Sequence, residues 1–122
     1  MKLEKLAKVF KTISNPKRLM ILALLSKVAR DVCVCELVDA MELPQYQVSQ
    51  HLRELRNENI VRGKRVGTWV YYSLCENDSE ECQQLIKKVL KTIDKKAYNE
   101  QLEKLKERFT KRKNGKCTVG YD

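Results

Sequence analysis

The residues best equipped for chemistry are Cys33 and Cys35, one residue apart in the stretch DVCVCEL. Thiolate sulfur is a soft donor, suited to thiophilic cations and poorly suited to the hard ions that carboxylates hold. On a continuous helix, residues two apart point about 200° away from each other. The pair can therefore share one bound ion only where the backbone starts, ends or bends. Cys33 is expected outside regular helix, or else in a deformed first turn. The competing reading is packing, since free cysteine behaves as a small apolar residue. It accounts poorly for alternating thiols, because only one of the two faces any given core.

A second set of residues follows in LPQYQVSQHLRELRNEN. Gln45, Gln47, Ser49 and Gln50 carry the donors and acceptors that read base edges in a major groove, and Tyr46 suits a sugar or a thymine methyl. Arg53 and Arg56 stand further along, where phosphate contacts fit better. Beyond them Arg62, Lys64 and Arg65 read as a compact cation cluster suited to the adjacent backbone or minor groove. His51 is the single histidine. Flanked by Gln50 and Leu52, it reads as a DNA-facing or packing residue rather than a metal ligand. Each feature alone is what any solvated helix face or exposed turn would show. Their order along the chain is what points to double-stranded DNA.

The apolar spacing supplies the elements that must position these residues. Leu3, Leu6, Ala7, Val9, Phe10 and Ile13 mark an amphipathic first helix. Ser14 or Asn15 caps a second, with Pro16 at its first position. KRLMILALLSK is apolar nearly all round, as a buried helix must be. Val32 to Val34 is a short β-branched piece that turns helical near Cys35. Pro44 opens the helix that carries Gln45 to Arg56, with Val48, Leu52 and Leu55 inward. After Asn59 the period becomes alternating, so residues 60–65 and 68–74 read as two strands joined at Gly67. Asp78 and Glu81 have the spacing of a capping box. The helix they open carries a stripe from Cys82 to Phe109, too long to bury against so small a core, and it is expected to meet a second copy of itself. The expected fold is mainly α with a two-stranded β-hairpin: a homodimeric winged helix-turn-helix.

With 122 residues the chain suffices for one compact domain and not for two. Residues 1–110 are expected to form that domain, with residues 111–122 as a flexible basic tail. A net charge of +9 points to a polyanion partner. No apolar run is long enough to cross a bilayer, and the Lys-interrupted start is unlike a secretory signal. A cytoplasmic location without a membrane partner is therefore expected. There, five cysteines, an odd number, read as free thiols. No nucleophile with base and oxyanion donors, no phosphate loop and no cofactor fingerprint is present, so an enzyme is not expected.

Taken together, ISNPKRLMILALL, DVCVCEL and LPQYQVSQHLRELRNENIVRGKRVGTWVYYSL resemble the ArsR/SmtB family of metal-sensing repressors over residues 3–93. The resemblance implies a homodimer joined by its first and last helices. It also implies operator DNA bound without a cofactor and released when an inducer binds. In this family a CVC followed by an acidic residue and Leu marks sensing of arsenite or antimonite in some members, and of cadmium or lead in others. Carried over, the ligands are Cys33 and Cys35. The arsenite-type pattern has a third cysteine three residues after the second, where this chain has Val38. As(III) and Sb(III) are satisfied by three sulfurs in a pyramid, so a third must come from Cys117 on the tail, from Cys82 or Cys75, or from an exogenous thiol, unless there is no third ligand. Zinc-sensing members use Asp and His residues on the last helix, and this chain has no His there.

A metal gripping Cys33 and Cys35 would then favour a backbone shape that the free helix resists, and so tilt the neighbouring recognition helix. Two alternatives remain. One is a thiol redox or persulfide switch on the same scaffold, with Cys82 or Cys117 as the redox partner, because a Cys-x-Cys disulfide closes a small strained ring. The other is a constitutive DNA-architectural protein.

Overall fold

The computed structural model describes residues 1–75 and 79–117. The elements run α1 (Leu3–Ile13), α2 (Pro16–Val28), β1 (Val32–Cys33), α3 (Val34–Met41), α4 (Gln45–Asn57), β2 (Val61–Val66), β3 (Trp69–Leu74), α5 (Glu80–Lys91), a 3-10 turn (Lys95–Ala97) and α6 (Asn99–Phe109). With α3 and α4 as the paired helices and β2–β3 as the wing, the arrangement is a winged helix-turn-helix. No described helix is long and apolar enough to cross a membrane.

Asn15 caps α2, its side-chain oxygen accepting from the backbone N–H groups of Lys17 (2.9 Å) and Arg18 (3.2 Å), with Pro16 in the first helical position. The all-round apolar composition of α2 has the expected consequence: Ile21, Leu22 and Leu24 are fully buried. Val9 and Ile13 of α1, Leu37 of α3, Val48, Leu52 and Leu55 of α4, and Leu105 of α6 join them in one core.

The sheet has three antiparallel strands in the order β1–β3–β2, one more than the expected hairpin. The extra strand is the β-branched piece, whose Val32 and Cys33 pair with Tyr72 and Tyr71. At the wing's tip Gly67 has φ +63° with nothing near its missing side chain, so backbone conformation alone requires glycine there.

Side chains alternate between the two faces of a sheet, and directly paired residues share a face. Val32, Val61, Val70, Tyr72 and Leu74 accordingly point into the helical core. Cys33, Lys64, Val66, Trp69 and Tyr71 take the opposite, outer face, where Cys33, Tyr71 and Lys64 form one row across the strands.

The long final helix does not form. α5 ends at Lys91, and Asp94, whose side chain accepts from the Lys96 N–H at 3.0 Å, starts the 3-10 turn. α6 then folds back on α2 and α3, burying Leu102 and Leu105 inside the protomer. Half of the stripe read as an intermolecular seam is thus spent internally. Asp78 of the anticipated capping box lies outside the described residues. Ser79 caps α5 instead, its Oγ accepting from the Cys82 N–H at 3.4 Å. Beyond α6 the chain crosses the outer face of the sheet as far as Cys117, which is buried. Of the tail expected at residues 111–122, residues 118–122 lie outside the described residues.

Candidate functional site

The junction between β1 and α3 sets the geometry of the paired thiols. Cys33 is extended (φ −86°, ψ 160°) and is the residue before the first turn of α3, while Cys35 sits within that turn. The change of backbone at this point brings the two Sγ atoms to 3.0 Å, which a continuous helix could not do. Cys117 Sγ lies 3.1 Å from Cys35 Sγ. All three sulfurs lie within 4.8 Å of one another, and all three residues are buried. The extended backbone at Cys33, and not a bend within α3, is what brings the two sulfurs together, in place of the strain expected above. The sulfur that arrives from a distance is Cys117.

A fully buried carboxylate organises this corner. Glu36 Oε1 accepts from the backbone N–H of Cys33 at 3.0 Å. Arg112 closes on the same carboxylate in a fork, Nε to Oε2 at 2.7 Å and Nη2 to Oε1 at 2.5 Å, and Nη2 also donates to the carbonyl of Asp31 at 2.8 Å. The Arg112 guanidinium lies 4.6 Å from the ring centre of Phe109 and 5.6 Å from that of Tyr71. The Tyr71 hydroxyl accepts from the Cys117 N–H at 2.8 Å, which fixes the third thiol over β3. Buried Arg108 pairs with Asp39 at 2.6 Å. Each buried charge thus has its partner, as a low-dielectric site demands.

Two thiols pointing at one sulfur favour a single thiolate. Cys35 is that sulfur: the hydrogen bond from Cys33, the Cys117 thiol and the charge of Arg108 outweigh its burial and lower it to about 6. Cys33 is pushed up, first by donating to Cys35 and then by burial. Burial raises Cys117. Cys75 and Cys82 stand apart, lining an apolar cavity with Ile60, Leu74 and Ile86.

On α4, Tyr46 and Gln50 are exposed, and Gln47 is half-buried. Gln45 and Ser49 are engaged with each other, the Gln45 amide donating to Ser49 Oγ at 2.8 Å. Arg53 and Arg56 are exposed further along the helix. His51 does not face outward. It is buried, its Nδ1 accepting from Arg18 Nε at 3.1 Å, while Arg18 also reaches the carbonyl of Thr12 at 3.1 Å. Burial, then the nearby charges of Arg18 and Lys17, lower its pKa and keep it neutral. Of the two expectations for His51, packing holds: it is a strut between α2 and α4, turned away from the groove-reading face. The wing cations do not form one cluster either. Arg62 and Lys64 take the outer face and Arg65 the other, because adjacent strand positions alternate.

Glu36, Arg112, Arg108, Asp39 and Tyr71 were not singled out from the sequence. Only Glu36 left a local signal, its position three residues after the helix-capping Cys33. Arg112 and Tyr71 are brought in by tertiary folding.

A sequence profile described as bacterial regulatory protein, arsR family, matches residues 15–62. An uncharacterized HTH-type transcriptional regulator of Methanocaldococcus jannaschii is 38% identical over 85 residues, covering 70% of this chain and 94% of that protein. The arsenical resistance operon repressor of Bacillus subtilis is 37% identical over 78 residues, covering 64% of this chain and 71% of that protein. Other relatives are named for arsenic or cadmium resistance, and this chain spans 51% of the former and 64% of the latter. Among solved structures, the homodimeric winged helix-turn-helix DNA-binding domain Mb0332 from Mycobacterium bovis matches with a TM-score of 0.64 at 28% identity, covering 76% of this chain and 82% of that one. These relatives and fold neighbours are transcriptional regulators, not enzymes.

Proposed function

The chain belongs to the arsR family of bacterial regulatory proteins, and from that premise we propose that it is a homodimeric repressor whose operator is released when Cys33, Cys35 and Cys117 together bind a thiophilic metalloid, As(III) or Sb(III). The observation that carries the reading is the convergence of three buried sulfurs within one protomer. Three converging sulfurs suit the pyramid of a trivalent metalloid, with Cd2+ or Pb2+ as the alternatives.

Capture balances simply. As(OH)3 exchanges three As–O bonds for three As–S bonds and releases three waters. The Cys35 thiolate is the group able to attack first; the thiols of Cys33 and Cys117 supply two of the three protons that turn the departing hydroxides into water, and solvent supplies the third. DNA reading falls to Tyr46, Gln47 and Gln50 at the start of α4, with Arg53, Arg56 and the wing cations on phosphates. Because α3 carries Cys35 and packs on α4, ligation at one end reaches the reading helix through a single packed layer. A coupling of about 1–3 kcal/mol, typical of allosteric linkage, changes affinity some 5- to 150-fold.

Exposed Leu3 (82%) and Phe10 (48%) on α1, with half-buried Leu85, Val89 and Leu90 on α5, support self-association through those two helices, α6 being engaged within the protomer. The deciding experiment is a DNA gel-shift titrated with arsenite, run on the wild type and on Cys33→Ser, Cys35→Ser and Cys117→Ser. Each variant should bind DNA and fail to release it, and ultraviolet sulfur-to-metalloid absorption should count three sulfurs in the wild type. Release by all three variants at the wild-type arsenite concentration eliminates the reading. A redox switch is the second reading, favoured by the 3.1 Å between Cys35 and Cys117. Its signature is release by hydrogen peroxide alone, with a Cys35–Cys117 disulfide formed and two waters produced per peroxide.

A further inference from the structure

We infer that the Lys113–Lys116 hairpin is a second phosphate-binding lobe beside the wing, contacting the sugar-phosphate backbone of double-stranded DNA. The inference rests on the DNA binding proposed above and extends it to a segment outside the helix-turn-helix and its wing. Lys113 and Lys116 exchange two backbone hydrogen bonds of 3.0 Å each. The central residues of the turn, Asn114 (φ +54°) and Gly115 (φ +74°), are both left-handed, the conformation of a tight two-residue hairpin.

Directly opposed residues of such a hairpin share a face, and like charges there repel. Two exposed lysines thus lie on one face of the hairpin, where a row of phosphates can meet both. The hairpin is also anchored, by the Tyr71 hydroxyl at Cys117 and by the Arg112–Glu36 fork before it. An open groove runs between it and β2, with Lys64 on the wing side, Lys116 on the hairpin side and Tyr71 in its floor. One carboxylate, Asp31, borders the groove, and Arg112, also on its edge, is occupied by Glu36. Duplex DNA carries about one negative charge per 3.4 Å of axis on each strand, so its backbone offers several phosphates in a row to cations on both sides of the groove, where one small anion offers a single charge. Cys117 follows Lys116 directly, so the lobe and the third sulfur move together.

The test is the salt dependence of binding to a random-sequence DNA duplex, where phosphate contacts dominate. It compares the wild type, Lys64→Ala and the double variant Lys113→Ala with Lys116→Ala. The double variant should flatten the slope of log affinity against log salt by about two for each protomer engaged. Its arsenite-induced ultraviolet absorption should stay at the wild-type level, because no sulfur is touched. A slope equal to that of the wild type, with Lys64→Ala still flattened, overturns the lobe and leaves DNA binding by the wing intact. Absence of duplex binding by the wild type overturns the proposed function and the lobe with it.

Discussion

Arg112 and Glu36, 76 positions apart, meet in a two-pronged ion pair of 2.5 and 2.7 Å, and the same carboxylate receives the backbone N–H of Cys33. One buried side chain therefore ties the segment that delivers Cys117 to the turn that presents Cys33 and Cys35. Glu36 is 0% exposed and the Arg112 side chain 9%, so water screens this pair little.

Removing one partner strands the other. Arg112→Ala should lower stability by about 3–5 kcal/mol, because a buried charge left alone costs far more than the pair contributes. Arg112→Met combined with Glu36→Gln should recover part of that loss. Urea denaturation of both variants measures it. A loss below about 0.5 kcal/mol for Arg112→Ala, the range of an ordinary surface change, would remove the pair from any structural role.

Truncation after Lys116 should leave operator affinity within a few-fold of the full chain while weakening arsenite capture by about tenfold or more, equivalent to at least 1.4 kcal/mol for one lost sulfur. The check is a paired titration, fluorescence anisotropy for DNA and ultraviolet absorption for arsenite. Unchanged arsenite affinity would exclude Cys117 as a ligand.

The pH dependence should separate a metalloid from a divalent cation. Above about 6 Cys35 enters as thiolate, so forming three As–S bonds from As(OH)3 takes up one proton from solution. Arsenite affinity should then fall about tenfold per pH unit above that point and level off below it. Cd2+ capture instead expels the protons of the two thiols, so its affinity should climb with pH. An arsenite affinity that rises with pH contradicts a single thiolate at Cys35.

Gln47→Ala should cost about 1–3 kcal/mol on the operator and little on random DNA, as loss of a base-edge contact does. Lys64→Ala should weaken both duplexes alike. Competitive binding on the two DNAs measures the difference. Equal losses for Gln47→Ala would move base reading to Tyr46 and Gln50, both exposed on α4.

His51 and the last helix show where local reading of the chain stops. The ends of α1, the Asn15 cap, the Pro16 start of α2 and the inward trio Val48, Leu52 and Leu55 were legible, because caps and apolar periods act over a few residues. His51 stands among polar neighbours, and nothing nearby in sequence announces that Arg18 will reach it from α2. The break at Asp94 was hidden for the opposite reason. The apolar stripe runs on across it, although the chain turns back there, α5 packing on α2 and α6 chiefly on α3 within one core. Grouping Arg62, Lys64 and Arg65 failed because nearness in sequence on a strand means alternate faces in space.

Residues that are neighbours along the chain already specify the first four helices, the wing, the excess of positive charge and the thiol pair at the start of α3. Folding in three dimensions alone brings Cys117 to the pair, holds it there through Glu36 and Arg112, and sets Lys116 across a groove from Lys64. Those outcomes depend on α6 turning back against α3, and they reflect long-range burial and ion pairing, which no local spacing encodes.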